Sequence, residues 1–286
     1  MSRTAALLAL LALLVSDPAR AAEVVRFPGP GGVALRAVLV LPPGGRPGAP
    51  VVALHGCGGL GGPGADPRLP AREADWAARL AALGHPVLFP DSFGSRGLAE
   101  VCHGGERGIT PETLRREDAL AAARWASAQP WAAPGGAFLL GWSHGASTAL
   151  TAANAPVEPG LIRGAVALYP GCVRPGRAAP AFAPVAPVLM LLGEADDWTP
   201  AAPCRRLAAR ATGAPVEVVA YPDAGHGFDQ PRGMPRTLAG LAITPDGSGR
   251  ATVGQDPAAR ADALQRVPAF LSRSGSPLHG GVAPQN

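Results

Sequence analysis

Residues 137–146 read AFLLGWSHGA, and inside them Gly141-Trp142-Ser143-His144-Gly145 fits the pattern G-x-S-x-G. The apolar run Ala137 to Trp142 predicts a buried strand, and the small residues that follow predict a helix to about Asn154. A serine becomes an exposed nucleophile where a strand turns sharply into a helix beneath it. Glycines two positions to either side relieve the crowding of that turn. The pentapeptide alone is a common pattern, and the strand before it and helix after it give it meaning.

Outward from this point the chain keeps alternating. Toward the N-terminus lie strand-like runs at Val33 to Leu41, Pro50 to Leu54 and Pro86 to Phe89. A helical spacing fills Leu69 to Leu83, with Ala74, Ala77, Ala78 and Ala81 on one face and Gly84 as the stop. Pro111 is placed to open a second helix, running through Asp118 to Ala128 with Leu114, Ala121, Ala122 and Trp125 on its apolar side. Beyond the elbow, strands are expected at Leu161 to Tyr169, Pro187 to Leu192 and Val216 to Tyr221. Helices are expected near Ala201 to Ala211 and Pro257 to Leu271. Short apolar strands alternating with helices imply one α/β domain with a mostly parallel central sheet and helices on both faces.

A hydroxyl is a weak nucleophile at neutral pH, so it needs a base, and the base needs an orienting carboxylate. His226 lies between two glycines in Asp223-Ala224-Gly225-His226-Gly227-Phe228, just after the last expected strand. Asp196 sits in Gly193-Glu194-Ala195-Asp196-Asp197 after the preceding one, and Asp197 is its rival for the orienting role. The order Ser143, Asp196, His226 is the Ser…Asp…His order of a triad built on this kind of sheet. Acyl transfer also develops an oxyanion that needs fixed donors. The backbone N–H of His144 is one candidate, and that of Cys57, in the glycine-rich His55-Gly56-Cys57-Gly58-Gly59, is the second.

Five segments together resemble the dienelactone hydrolase branch of the α/β-hydrolase superfamily. They are HGCGG (55–59), PDSFGSRG (90–97), GWSHG (141–145), GEADDWTP (193–200) and DAGHGFD (223–229). The resemblance implies a single α/β-hydrolase domain, Ser143, Asp196 and His226 as the triad, a small lid-free pocket and no cofactor. It places Arg96 where dienelactone hydrolases carry an arginine that meets the substrate's carboxylate; an intramolecular ion pair is the competing role for this residue. Two departures point away from dienelactone itself as substrate. The namesake enzymes carry a cysteine at the position of Ser143 and a glutamate at that of His55. The expected activity is therefore serine hydrolysis of small-molecule carboxylic esters or lactones. A serine peptidase of the same fold is the nearest alternative. A non-catalytic periplasmic binding protein on a hydrolase scaffold is the alternative from another class.

Other features bound the reading. Trp142 and Trp198 flank the proposed nucleophile and acid, where each either lines an acyl pocket or simply packs. The run Arg115-Arg116-Glu117-Asp118 reads as a solvated helix face with local ion pairs. Gly56 to Gly61 satisfies G-x-G-x-x-G, but Gly62, Pro63, Gly64 and Pro67 intervene where a dinucleotide site needs a helix to begin. All 25 basic residues are Arg, so a phosphate-binding loop that needs Lys is excluded, as is a Lys Schiff base. A hydrophobic content of 47% argues against disorder.

Residues 1–21 read as a secretory signal peptide: Arg3, the apolar run Ala5 to Val15, then Ala19-Arg20-Ala21 as the cleavage site. The remainder divides into a domain over 22–272 and a disordered tail over 273–286. Removing the leader's Arg3, Arg20 and Asp17 takes the net charge from +4 to +3, too small and too scattered for nucleic-acid binding. No membrane span is expected in the mature chain, and the sequence carries no sign of an oligomeric state. Export makes Cys57, Cys102, Cys172 and Cys204 disulfide candidates rather than metal ligands, with three pairings open.

Overall fold

Along the strand β5 (Ala137–Trp142), Ala137 and Leu139 turn to one side of the sheet while Phe138, Leu140 and Trp142 turn to the other. The same division by twos runs through β6 (Ile162–Leu168) and β7 (Val188–Gly193), where Ala165, Ala167 and Met190 oppose Val166, Leu168 and Leu189. Period-2 alternation with both sets apolar demands cover on both faces, which a parallel sheet obtains from its crossover helices. In the computed structural model, which describes residues 22–174 and 182–275, the cover comes from five helices. Helices α2 (Leu114–Ser127), α3 (His144–Ala153) and α4 (Ala201–Ala209) pack with the first set. Helices α1 (Ala71–Ala82) and α5 (Pro257–Gly275) pack with the second.

The sheet has eight strands in the order β1-β2-β4-β3-β5-β6-β7-β8. Strands β1 (Glu23–Pro28) and β2 (Ala34–Val40) form an antiparallel hairpin, and β2 also pairs antiparallel with β4 (Val87–Pro90). From β4 through β3 (Val51–Leu54) to β8 (Val216–Tyr221) every pairing is parallel. A separate hairpin of β9 (Arg236–Ala239) and β10 (Arg250–Val253) lies between the last sheet strand and α5. The expected mostly parallel sheet with two helical layers is the observed one. No described helix is long and apolar enough to cross a membrane.

Several local expectations are corrected. The buried face of α1 is Glu73, Trp76, Ala77, Leu80 and Ala81, while Ala74 and Ala78 face solvent. Trp76 and Leu80 offer far more apolar area than alanine, so they set which side of the helix turns inward. The second helix begins at Leu114, three residues past Pro111, and the last runs on to Gly275. The run at 115–118 is not a solvated face. Arg115 and Asp118 are completely buried, and only Glu117 is exposed. Arg116 donates to the carbonyls of Thr151 (2.9 Å) and Pro156 (2.7 Å), satisfying backbone at the C-terminal end of α3. The expected signal peptide and residues 276–286 of the expected tail lie outside the described residues.

Candidate active site

Ser143 stands between the last residue of β5 and the first of α3, with φ 53° and ψ −118°. A non-glycine residue in that region carries about 1–3 kcal/mol of strain, which persists only where the surroundings over-determine it. Here its N–H is anchored to Leu168 O on the neighbouring strand at 3.0 Å, and its carbonyl accepts from Ser147 N–H at 2.9 Å. The flanking glycines are required sterically. A Cβ on Gly145 would lie 1.9 Å from Leu54 O, and one on Gly141 would lie 2.2 Å from Gly145 O. Ser143 is 9% exposed and lines a cavity of about 600 Å³.

His226 follows β8 on a loop joined to the β9–β10 hairpin, whose Gly254 N–H bonds His226 O at 3.0 Å. Its Nδ1 lies 2.9 Å from Asp196 Oδ2 and 3.1 Å from Thr199 Oγ1. The ring is flanked by Tyr169 and Trp198, each with a centroid separation of 4.7 Å. Asp196, just past β7, accepts backbone N–H bonds from Trp198 (2.9 Å) and Thr199 (2.8 Å) on Oδ1. Burial pushes its carboxyl pKa up, but His226 and Thr199 outweigh that and hold it below its ordinary value. Asp197 does not reach the imidazole; it accepts the N–H of Thr252 on β10 at 2.8 Å. Trp198 and Thr199, both against the His226 ring, line the same cavity as Ser143.

The expected oxyanion donors also border that cavity. His144 is the first residue of α3, so its N–H has no partner within the helix. The Cys57 loop is folded by Gly59 N–H to Gly56 O and by Val101 N–H to Cys57 O. A disulfide joins Cys57 to Cys102, and a second joins Cys172 to Cys204. Cys57, Cys102 and Cys172 face the cavity beside Val101, Val173 and Ile243. Among the described residues no group of three or more His, Cys, Asp or Glu side chains is arranged to hold a metal ion.

Two expected substrate contacts are not brought to the cavity. Arg96 gives both terminal nitrogens to the buried Asp118, at 2.8 and 2.7 Å, and also bonds Ser92 O. This is the intramolecular ion pair, the competing arrangement for this residue. Trp142 is fully buried below the elbow, stacked on Phe89, and donates its indole N–H to Asp229 Oδ2 at 2.8 Å. Asp229 also accepts from the Trp76 indole and the Tyr169 hydroxyl, joining α1, β5 and the end of β6 under the site. Trp198 does line the cavity, its indole tied to Ile243 O at 2.9 Å.

Sequence reading missed a polar chain beside Ser143. Arg115 Nη1 lies 2.7 Å from His144 Nδ1, and His144 Nε2 lies 3.0 Å from Glu106 Oε1. A guanidinium only donates, so His144 carries its proton on Nε2 and passes it toward Glu106. Desolvation lowers the His144 pKa to about 4, which keeps the ring neutral near pH 7. Burial raises the Glu106 carboxyl, but bonds from His144 and Arg174 overcome this and bring it down to about 2. His55, at the head of the oxyanion loop, is buried with Nδ1 2.8 Å from Gly56 O. Desolvation, chiefly, holds its pKa well below the usual value.

The sequence profile of the Dienelactone hydrolase family matches residues 35–275. The chain belongs to this family. Solved structures agree on the architecture of this dienelactone hydrolase family member. A protein from Klebsiella pneumoniae subsp. pneumoniae MGH 78578 assigned as a dienelactone hydrolase superposes with a TM-score of 0.61 at 19% identity, over 89% of this chain and 100% of that one. A thermophilic esterase from the Planctomycetes species Thermogutta terrifontis gives 0.58 at 18% identity, over 94% and 98% of the two chains. Dipeptidyl peptidase 4 of Porphyromonas gingivalis gives 0.55 at 19% identity. There the match covers 73% of this chain and only 33% of the peptidase, so the chain spans a third of that protein's length. These identities speak for the shared fold. No curated protein matches the chain in sequence.

Proposed function

We propose that this family member is an exported serine hydrolase cleaving carboxylic esters or lactones through an acyl-enzyme. The observation that carries the reading is the 2.9 Å contact of His226 Nδ1 with a buried Asp196, beside Trp198 and Thr199, which line the same cavity as the strained Ser143. Asp196 fixes the imidazole with its proton on Nδ1, leaving Nε2 free as the base. Ser143 Oγ attacks the carbonyl carbon as its proton passes to His226 Nε2. The C=O electron pair moves to oxygen, where the N–H groups of Cys57 and His144 receive it. The protonated His226 then gives its proton to the departing alkoxide, and the C–O bond breaks. Water, deprotonated by the same imidazole, releases the acid and restores the serine.

The wall of valine, isoleucine, proline and disulfide sulfur suits an apolar acyl or alcohol group, and no cofactor enters any step. Two disulfides support an oxidising compartment, in keeping with residues 1–21 as a cleaved leader. The test is labelling with a fluorophosphonate and mapping the adduct by mass spectrometry. The reading expects the adduct on Ser143 and a loss of at least ~10³-fold in ester turnover for Ser143→Ala, without unfolding. Wild-type-like hydrolysis by Ser143→Ala discards the assignment. Parallel assays on matched esters and amides separate an esterase from a peptidase.

A further inference from the structure

We propose that Arg115 is a positioning residue for the oxyanion hole, holding in register the two backbone segments that carry its donors. The inference rests on the reading of Ser143 as nucleophile. Arg115 projects from α2 into the interior and is 0% exposed. Its two terminal nitrogens diverge. One donates to the carbonyl of His55 at 2.8 Å, two residues before Cys57, and the other donates to His144 Nδ1 at 2.7 Å. The guanidinium thus spans from the glycine-rich loop to the residue that starts α3. Its carbon lies 5.0 Å from the centre of the Phe93 ring, which packs edge-on against both the His55 and His144 rings.

The cost of placing this group argues for a purpose beyond packing. A buried cation is expensive unless an anion meets it directly. Among the described residues no carboxylate forms an ion pair with Arg115, and its Nε is buried with no hydrogen-bond partner. Both of its hydrogen bonds go to neutral acceptors, while Asp118, Asp91 and Glu106 favour its charge only from beyond ion-pair distance. Negative charge forming in front of the Cys57 and His144 amides would develop on the far side of the two segments that Arg115 ties together. The cation therefore favours the tetrahedral intermediate over the neutral ester. His144 extends the restraint outward, since its Nε2 bonds Glu106, which is itself paired with Arg174.

The test measures kcat and KM separately on p-nitrophenyl butyrate for wild type, Arg115→Met and Arg115→Lys, with thermal melts alongside. Met approximates the length of the stem but bonds neither acceptor, whereas Lys keeps a cation that reaches one of them. Loss of donor alignment predicts a kcat ~30–100-fold lower for Arg115→Met with KM within about threefold of wild type, because the interaction matters only once the oxyanion forms. Arg115→Lys recovers part of this, to roughly 10-fold below wild type. Wild-type kcat in Arg115→Met overturns the proposal, as does a loss that only tracks the fraction of folded protein. Should Arg115→Met not fold, Arg115→Lys decides: reduced kcat at constant KM supports the role, and unchanged kcat overturns it. Ser143→Ala run in parallel separates the two failures. Near-wild-type turnover there removes the serine-hydrolase reading itself; a Ser143→Ala lowered by at least ~10³-fold beside fully active Arg115 variants removes only the present inference.

Discussion

Replacing Asp196 by Asn separates the orienting role of this carboxylate from its structural one. Asp196 Oδ1 accepts two backbone N–H bonds, from Trp198 and Thr199, at 2.9 and 2.8 Å. Asparagine keeps those bonds only by leaving its carbonyl oxygen there, which turns its NH₂ toward His226 Nδ1. An NH₂ donates, so Nδ1 must become the acceptor and the imidazole proton moves to Nε2. The ring is then in the wrong tautomer to take a proton from Ser143. That change costs ~10⁴-fold in kcat in a triad of this type, equivalent to about 5 kcal/mol of transition-state stabilisation. Stability suffers less, because both backbone bonds survive and the substitution is close to isosteric. The measurement is kcat on a p-nitrophenyl ester with a thermal melt of the same preparation, run beside Asp197→Asn. Among the described residues Asp197 bonds the N–H of Thr252, on both carboxylate oxygens, and makes no bond to His226, so that variant keeps kcat within about threefold. A full-rate Asp196→Asn, or a loss confined to Asp197→Asn, refutes the reasoning and moves the acid to the neighbouring residue.

Gly145→Ala places a methyl 1.9 Å from Leu54 O, so the helix start must shift. We expect a stability loss above ~3 kcal/mol in a urea titration, and a near-wild-type midpoint would contradict the close approach. The Cys57–Cys102 disulfide spans 45 residues and Cys172–Cys204 spans 32, for which loop entropy predicts losses of ~4 and ~3.7 kcal/mol on double replacement by Ala. Denaturation of each double variant checks both figures, and no change in either midpoint removes the stapling role. Glu106 is held at about 2 in the folded chain against a usual 4.5. Its contribution is therefore complete above pH 4.5 and is lost as the pH falls toward 2. Urea midpoints measured down that range should fall less steeply for Glu106→Gln than for wild type, and parallel curves would exclude the carboxyl as a source of acid sensitivity.

What was legible in the sequence followed from burial on two faces. Strands β5, β6 and β7 are near-continuous apolar runs closed by glycine or proline, so their existence needs no knowledge of neighbours. The turn at Ser143 and the place of Asp196 were legible for a related reason: each lies immediately past such a run, at the strand ends where open α/β sheets place their ligands. Strand β1 and the β9–β10 hairpin were not. β1 (EVVRFP) and β9 (RTLA) are mostly exposed and β10 (RATV) is four residues with two buried, so none leaves a pattern stronger than that of a loop. That hairpin matters to the site, since it binds Asp197, pairs with the His226 loop and leads into the Ile243 turn beside Trp198. Arg115 was illegible for a different reason. Whether a charged residue on a helix faces water or the interior depends on what waits inside, here a carbonyl 60 residues away and an imidazole 29 away. No local period encodes that.

The glycine-rich loop poses a physical problem that these same contacts resolve. Glycines at 56, 58 and 59 leave the backbone free to turn its N–H groups toward a substrate, but the same freedom costs order. Catalytic donors help only if they are already in place when the oxyanion forms. Here the loop is held from two directions. On the cavity side, Cys57 is bonded covalently to Cys102, and its carbonyl accepts from Val101. On the interior side, Arg115 takes the His55 carbonyl and ties it to the residue beginning α3. Either restraint alone would leave the loop a hinge about the other. Together they hold the loop's backbone from both sides and keep its steric openness, the combination that the proposed oxyanion role requires.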